Sequence, residues 1–473
     1  MSRADRKRFL TPFFVVAGAA ILRLAASRGD FWLDEIWSWT FARQAASALD
    51  IFTRFPHDNN HILNTLFLYF LGDRPDWIVY RIPSVLAGIG TVILAGLIGR
   101  QTSRLTAATA MLLTGGSFLL VLYNSEARGY GLVIFFALLS LYVVDQYIRR
   151  SSWALAVIFA LAAVLGLLSH LTYVHGYAGI LLWSVYRFST PWRGWRGFLA
   201  DLARCHALPL AALLALYFGY VRRMNVGGGP PYSLADVLVS TLSLTVGGPE
   251  TGRAAVVVGL LAGLVVLVSL VALVRGHRDQ LLLFGTAIIL SPTLLLLADR
   301  PPALFPRYFL VPIALFLLLL GRLLAAIYRR GLAGKLGYFV LLLAFLCANG
   351  VHIAGLLRYG RGHYLDALRY MAEHTSSPIV SIGGDHDFRN GTVVNFYAHY
   401  LPPHKHVVYY ERAAWPAGGS EWFLIHSQSQ DHVPLAAIVA RGARYRLVKD
   451  YPFAALSGWH WYVYHNTDYP SQE

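Results

Sequence analysis

The sequence predicts a mostly α-helical, polytopic transmembrane bundle followed by a small α/β domain, and three observations carry that prediction. Of 473 residues, 56% are hydrophobic and only 14% charged, whereas soluble domains carry about 25% charged residues. Apolar runs long enough to cross a hydrocarbon core, about 18 residues or more, recur through the first three quarters of the chain. From residue 358 the charge density rises and short strand-like runs replace the long apolar ones. The expected division is a transmembrane domain over 1–357 and an extramembrane α/β domain over 358–473.

Taken in order, a basic N-terminus (Met-Ser-Arg-Ala-Asp-Arg-Lys-Arg) precedes the first apolar run, 9–26. No small-residue cleavage pattern follows it, so it reads as a first membrane helix rather than a removed signal peptide. Further spans are expected at 78–99, 105–123, 129–148, 153–169, 172–188, 204–221, 254–274, 280–298, 304–325 and 336–357, about 11 in all. Arg and Lys concentrate in alternate short connections. That bias places the N-terminus in the cytoplasm and, with an odd number of spans, residues 358–473 outside. The first outer loop, 27–77, is long and rich in Trp, Asp, Asn and His. Two helical patterns in it, 35–53 and 61–71, are too short to span and suit the membrane interface. In the tail, strands are expected at 379–382, 407–410, 422–425, 445–448 and 459–464, with a helix at 432–442.

The net charge of +15 does not indicate nucleic acid, because the Arg residues are scattered at the ends of apolar runs. Cys205 and Cys347 lie in apolar segments and suggest neither a zinc motif nor a disulfide framework. Phosphate-binding P-loop, zinc-protease and nucleophile-elbow sequences are absent. Gly383-Gly384-Asp385-His386-Asp387 reads as a strand-to-turn element more readily than as a metal site.

The residues able to carry chemistry gather at the outer ends of the spans. Asp34 and Glu35 stand among Phe31, Trp32 and Trp37 just after the first span. A carboxylate in so dry a place is costly to keep and could act as a general base, although a solvated loop with interfacial tryptophans fits the composition equally well. Next comes His57-Asp58-Asn59-Asn60-His61, a polar rim for sugar or phosphate, or simply a helix cap with turn residues. His57 and His61 share a helix face and could hold a divalent metal, but no third ligand is evident. Glu126, Arg128 and Tyr130 follow at the turn between spans three and four, where an ion pair or a phosphate contact would suit them. Arg81, His170, Arg222, Arg223, Arg307 and Tyr308 also face outward. One such Arg is commonly a snorkelling headgroup contact; several on one face favour an anionic ligand. Trp32, Trp37, Trp39 and Tyr130 could stack on sugar rings.

Taken in order, these strings resemble the membrane glycosyltransferases of the GT-C superfamily, in the bacterial family 39-like branch of protein O-mannosyltransferases and lipid A aminoarabinose transferase. The resemblance covers about residues 9–325. Asp34-Glu35 matches the acidic motif after span one. The segment around His61 resembles His-Pro-Pro-Leu-Tyr, with Ile62 and Leu63 in place of the prolines. Arg81-Ile82-Pro83-Ser84 resembles Arg-Leu-Pro-Ser, Ser125 to Tyr130 resembles Gln-Glu-Ala-Arg-Met-Tyr, and Arg307-Tyr308-Phe309 the late Arg-Tyr-hydrophobic motif.

The resemblance implies an inverting transferase, GT-C in fold, that takes a sugar from a polyprenyl-phosphate donor. The acceptor would be an extracytoplasmic lipid, glycan or protein, at the outer face of a bacterial inner membrane. Asp34 matches the catalytic base, and Glu126 the second acidic position. Arg128 and Arg307, with Arg81, would stabilise the departing phosphate. His57, Asp58, Asn59, Asn60, His61, Tyr130, His170 and Tyr308 would line the substrate. No cofactor is required by this reading; some relatives use a divalent metal, whose ligand positions do not align clearly here. A transporter of lipid-linked saccharides is the other reading, but it expects internal repeats and charges in mid-span.

Overall fold

The computed structural model describes residues 3–190, 194–229, 231–274, 276–298 and 301–469. Arg193, Arg275 and Arg300, which enter the charge bias above, lie outside the described residues.

Each predicted span falls on helix. The first is α1 (Arg3–Ala26). Three short helices follow in the first outer loop: α2 (Leu33–Gln44), α3 (Asp50–Thr53) and α4 (Ile62–Leu71). Then come α5 (Ile78–Arg100), α6 (Arg104–Gly116), α7 (Phe118–Tyr123), α8 (Tyr130–Arg149), α9 (Trp153–Ser169), α10 (Tyr173–Ser189) and α11 (Gly194–Gly219). The set continues with α12 (Leu234–Thr245), α13 (Gly252–Val274), α14 (Arg278–Gly285), α15 (Ser291–Ala298), α16 (Leu310–Tyr328) and α17 (Gly331–Tyr359). Among the described residues, seven helices are long and apolar enough to cross a membrane. The spans expected at 153–169 and 172–188 form helices of only 17 residues each. The protein is therefore a multi-pass helical membrane protein with a C-terminal sheet domain.

Several local features were not expected. The span 105–123 breaks at Ser117, and the N–H of Phe118, orphaned at the start of α7, donates to Asn349 Oδ1 of α17 at 2.8 Å. The pattern read as one helix over 35–53 is interrupted after Gln44, where Asp50 accepts the Ala46 N–H (2.9 Å) and the Ser47 hydroxyl (3.2 Å). Apolar α12 was not anticipated at all. Arg23, inside the first span, is fully buried. Its guanidinium donates to the carbonyls of Ala19 (3.1 Å), Gly115 (3.3 Å) and Thr114 (3.1 Å), the latter two in the last turn of α6. A cation is favoured there because those carbonyls have no partner within their own helix.

The chain divides into two compact units, one of residues 1–27 with 41–351 and one of residues 28–40 with 352–473. The second holds α18 (Tyr364–His374), α19 (Asp387–Ala398) and a six-stranded sheet. The strands are β1 (Ile379–Gly384), β2 (His406–Tyr409), β3 (Trp422–Ser427), β4 (Ala437–Ala440), β5 (Ala443–Tyr451) and β6 (His460–Asn466), in the order β2-β1-β3-β6-β5-β4. β1 runs parallel to both β2 and β3, so β1–α19–β2 is a crossover unit. The remaining pairs are antiparallel. Phe423, Tyr445, Tyr462 and Tyr464 form part of its core. The helix expected at 432–442 is not there. Arg441 (φ 49°) and Gly442 (φ 86°) instead turn β4 back on β5, the two positive φ values of a tight hairpin.

Candidate functional site

In the first unit the chain enters α4 through the polar string 57–61, which is held down at both ends. His57 Nδ1 lies 2.9 Å from Asp58 Oδ1, and Asp58 Oδ1 also accepts the Gly227 N–H at 2.9 Å. The Asp58 N–H donates to the Asn225 carbonyl (3.0 Å), and the Tyr220 hydroxyl reaches the carbonyls of Phe55 (2.8 Å) and His57 (2.9 Å). Burial alone would raise the Asp58 carboxyl. The hydrogen bonds from His57 and Gly227, with the charges of His57 and Arg128, outweigh it and hold the group below its usual range. Asn60 serves the loop, donating to the carbonyls of Ile51 (2.8 Å) and Phe55 (2.9 Å).

His61 is buried at the start of α4, and the Gly129 N–H donates to its Nδ1 at 2.8 Å. That approach requires glycine at 129: a Cβ there would meet the Ser169 carbonyl oxygen at 1.9 Å and His61 Cβ at 2.9 Å. With Nδ1 accepting, the neutral ring carries its proton on Nε2, which has no hydrogen-bond partner among the described residues. His170 repeats the arrangement, its Nδ1 accepting the Thr172 N–H at 3.1 Å, so it too presents Nε2–H. The two rings are 4.8 Å apart, and Tyr130 lies 5.0 Å from His61 and 4.6 Å from His170. Tyr308 stands 6.2 Å beyond His170. Burial lowers both imidazoles, helped by the positive charges of Arg128 and Arg307; His61 falls well below 6.5 and His170 to about 3. Both are neutral donors at physiological pH.

Arg128 is buried beside them. Its Nη2 donates to Asn59 Oδ1 at 2.6 Å, Nη1 lies 3.8 Å from Glu126 Oε2, and the guanidinium sits 4.8 Å from the Tyr130 ring centre. Its backbone is fixed by the Ser84 hydroxyl on its carbonyl (2.9 Å), and Asn64 Nδ2 holds the neighbouring Ala127 carbonyl (2.8 Å). Arg307 leans on Phe305, 3.9 Å from the ring centre, within electrostatic reach of both histidines.

The first unit thus brings together Asn59, His61, Glu126, Arg128, Tyr130, His170, Arg307 and Tyr308. His57, Asp58 and Asn60 brace the string that carries them. Arg81 is fully buried and donates from Nη1 to the Ser27 carbonyl at 2.8 Å, at the end of α1. Arg223 folds back on the Gly219 carbonyl of its own helix. A metal does not fit the histidines: both Nδ1 atoms accept backbone N–H groups at His61 and His170, leaving protonated Nε2. No group of three or more His, Cys, Asp or Glu poised for a metal occurs among the described residues. Gly129, Asn64, Tyr220 and Gly227 escaped the sequence reading. Only Gly129 carried a visible sign, as a glycine inside the Glu-Ala-Arg-Gly-Tyr string.

Asp34 and Glu35 belong to the second unit. Glu35 is fully buried with Arg361, also fully buried, whose Nε lies 3.9 Å away. Asp34 is partly exposed in the first turn of α2. The loop strand before it is stitched to the sheet domain. Asp30 Oδ2 accepts the Leu365 N–H (2.8 Å), and the Tyr397 hydroxyl donates to the Phe31 carbonyl (2.8 Å). Trp37 packs edge-on against Phe388 (5.4 Å) and Trp39 against Phe396 (5.3 Å), so these rings are engaged in packing rather than free to stack on a sugar.

No family model matches the chain, and no curated protein is similar to it in sequence. Solved structures resemble it in fold. The crystal structure of ArnT from Cupriavidus metallidurans in the apo state superposes with a TM-score of 0.54 at 15% identity, covering 87% of each chain. The chain shares the fold of that ArnT structure. Weaker likenesses, each with a TM-score under 0.5, are to ArnT bound to undecaprenyl phosphate (0.49, 15% identity, 87% of this chain and 92% of that one) and to the Archaeoglobus fulgidus oligosaccharyltransferase (0.47, 13%, 87% and 67%). Within this fold, the polar cluster hangs on α4, the α7–α8 turn, the α9–α10 turn and the approach to α16.

Proposed function

We propose that the protein is an inverting glycosyltransferase that moves a sugar from a polyprenyl-phosphate donor to an extracytoplasmic acceptor. The observation that carries the reading is the pair of neutral imidazoles, His61 and His170, each with Nε2–H to give, flanked by the guanidinium groups of Arg128 and Arg307. Donors and cations fixed in a buried place, and needing no rearrangement, suit a phosphate whose charge grows as the glycosidic bond breaks. Glu126 and Asn59 fix the Arg128 fork. Asp34 is the general base that takes the proton of the attacking hydroxyl, since Glu35 is committed to Arg361. The hydroxyl oxygen bonds to the anomeric carbon as the bond to the phosphate oxygen breaks. The phosphate leaves with that electron pair, and the configuration inverts. The ligand class is one that ArnT, its fold relative, is known to bind in a crystal. The N-terminus is cytoplasmic and the sheet domain outside, in a bacterial inner membrane.

Native mass spectrometry of purified protein with added undecaprenyl phosphate tests the anion site. Wild type retains the lipid phosphate, and Arg128→Ala weakens retention at least about tenfold, the scale of a lost charged hydrogen bond. Equal retention by both would remove the cluster from the proposal.

A further inference from the structure

A second charged place lies at the opposite end of the first unit's helices from the polar cluster. It is a crevice between the far ends of α5, α8, α10 and α16 and the start of α14, and Gln101, Tyr142, Asp145, Trp183, Gln280 and Arg322 stand in its wall. On α8 alone, Tyr130 of the cluster and Asp145 of the crevice are separated by about 22 Å along the axis, at 1.5 Å per residue. On the topology proposed above, this is the cytoplasmic end of the bundle.

Two carboxylates reach this end, and both are taken. Asp145 is gripped on both oxygens by Arg149, whose Nε lies 2.9 Å from Oδ2 and Nη2 3.3 Å from Oδ1. Asp279 Oδ2 accepts from Arg187 Nη1 at 3.0 Å and from the Trp183 indole N–H at 3.1 Å. Arg322 is left over. Among the described residues no carboxylate lies within ion-pair distance of it. Its Nη1 donates to Gln280 Oε1, a neutral acceptor, and the guanidinium sits 5.4 Å from the Phe284 ring centre. A guanidinium carries five N–H donors and cannot be deprotonated in a protein. The crevice is thus lined by a fixed cation with donors to spare. The side chains of Gln101 and Tyr142 likewise make no hydrogen bond among the described residues.

We propose that this crevice binds the phosphate of an anionic membrane phospholipid, with Arg322 as the cation and the Tyr142 hydroxyl and Gln101 amide as further donors. A phosphodiester supplies acceptor oxygens that match the guanidinium fork, and its charge meets the one guanidinium that no carboxylate balances. The crevice encloses about 290 Å³ with its mouth. That is the low end of the range for small-molecule sites, about 300–1,000 Å³, and suits a headgroup better than a nucleotide. A lipid source follows from the surroundings. Leu97 and Leu282, next in the chain to wall residues Ile98 and Leu283, are 42% and 40% exposed, so apolar surface for acyl chains adjoins the polar wall. Basic pockets between helix ends on the cytoplasmic side take lipid headgroups for these reasons. The site is independent of the transferase reading.

Native mass spectrometry of the purified full chain in detergent, with phosphatidylglycerol or phosphatidylcholine added, tests the site. Wild type retains phosphatidylglycerol in preference to the zwitterionic lipid. Arg322→Gln retains it at least about tenfold more weakly, the scale of a lost charged hydrogen bond. Tyr142→Phe removes one hydroxyl, weakens retention about threefold and leaves the unfolding temperature where it was, so it decides the matter if Arg322→Gln folds poorly. Arg128→Ala, at the other end of the bundle, retains phosphatidylglycerol as wild type does, and millimolar inorganic phosphate does not displace it. Unchanged retention in either Arg322→Gln or Tyr142→Phe overturns the proposal, as does equal retention of the two lipids. Loss of the lipid in Arg128→Ala would move it to the other cluster, and displacement by inorganic phosphate would assign the crevice to the free ion; either result overturns the proposal too.

Discussion

The Gly129 N–H donates to His61 Nδ1 at 2.8 Å, and this one bond decides which face of the imidazole is left for a ligand. It fixes the proton on Nε2, makes the ring a donor toward anions, and closes it to metals. The turn after α7 and the start of α4 are locked together at the same point.

Gly129→Ala should break that lock. The added methyl would sit 1.9 Å from the Ser169 carbonyl oxygen, a backbone atom that has no rotamer to escape into. A loss of about 1–3 kcal/mol is expected, the usual cost of forcing bulk into a packed site. Thermal unfolding in detergent, together with undecaprenyl-phosphate retention, measures it; a variant as stable and as competent as wild type would contradict the packing described.

Stability should fall on acidification through His61 and His170. Both are held neutral in the folded protein, His170 down to about 3, whereas the unfolded chain takes up protons near 6.5. Between those values the unfolded state binds more protons, so stability is complete above about pH 6.5 and drains away below it. The unfolding temperature of wild type should decline from pH 7 to pH 4.5, and His170→Gln should flatten the decline. An identical slope in the variant would show that His170 is not the group responsible.

Arg23 and Gly88 make a coupled pair inside the bundle. A Cβ at Gly88 would lie 2.6 Å from Arg23 Nε and 2.7 Å from Asn124 Cβ. Gly88→Ala should therefore destabilise by about 1–3 kcal/mol. In an Arg23→Met background the added cost should shrink, since the thioether chain can give way. A double-mutant cycle reads the difference as a coupling of about 0.5 kcal/mol or more, and strict additivity would refute the contact.

The long apolar runs were legible because a membrane helix needs only length and hydropathy, and every expected span falls on helix. What escaped was set by distant partners. Asn349, more than two hundred residues on in sequence, receives the N–H that lets the chain break at Ser117. Arg23 hides in an apolar run because α6 supplies its carbonyls. The strand β4 was mistaken for helix because Ala436-Ala437-Ile438-Val439-Ala440 has no polar alternation. The turn signal was half hidden too, since Arg441 takes a left-handed conformation that only Gly442 advertises. At the site, the residue types were visible in order along the chain. The tautomers, the bracing by Tyr220 and Gly227, and the burial of Glu35 with Arg361 were not, because each depends on contacts between segments far apart in sequence.

The account stands most directly on sugar transfer by purified protein in lipid nanodiscs, offered a panel of polyprenyl-phosphate sugars and an envelope-lipid extract, with wild type compared with Asp34→Asn. It predicts that wild type consumes one of the donors and builds a glycosylated product. Asp34→Asn, still folded and still binding undecaprenyl phosphate, should lose at least about a hundredfold in rate, the scale of a general base. Equal turnover by both proteins would remove Asp34 from the chemistry. No turnover by either, with lipid-linked sugar crossing the bilayer instead, would make the protein a transporter.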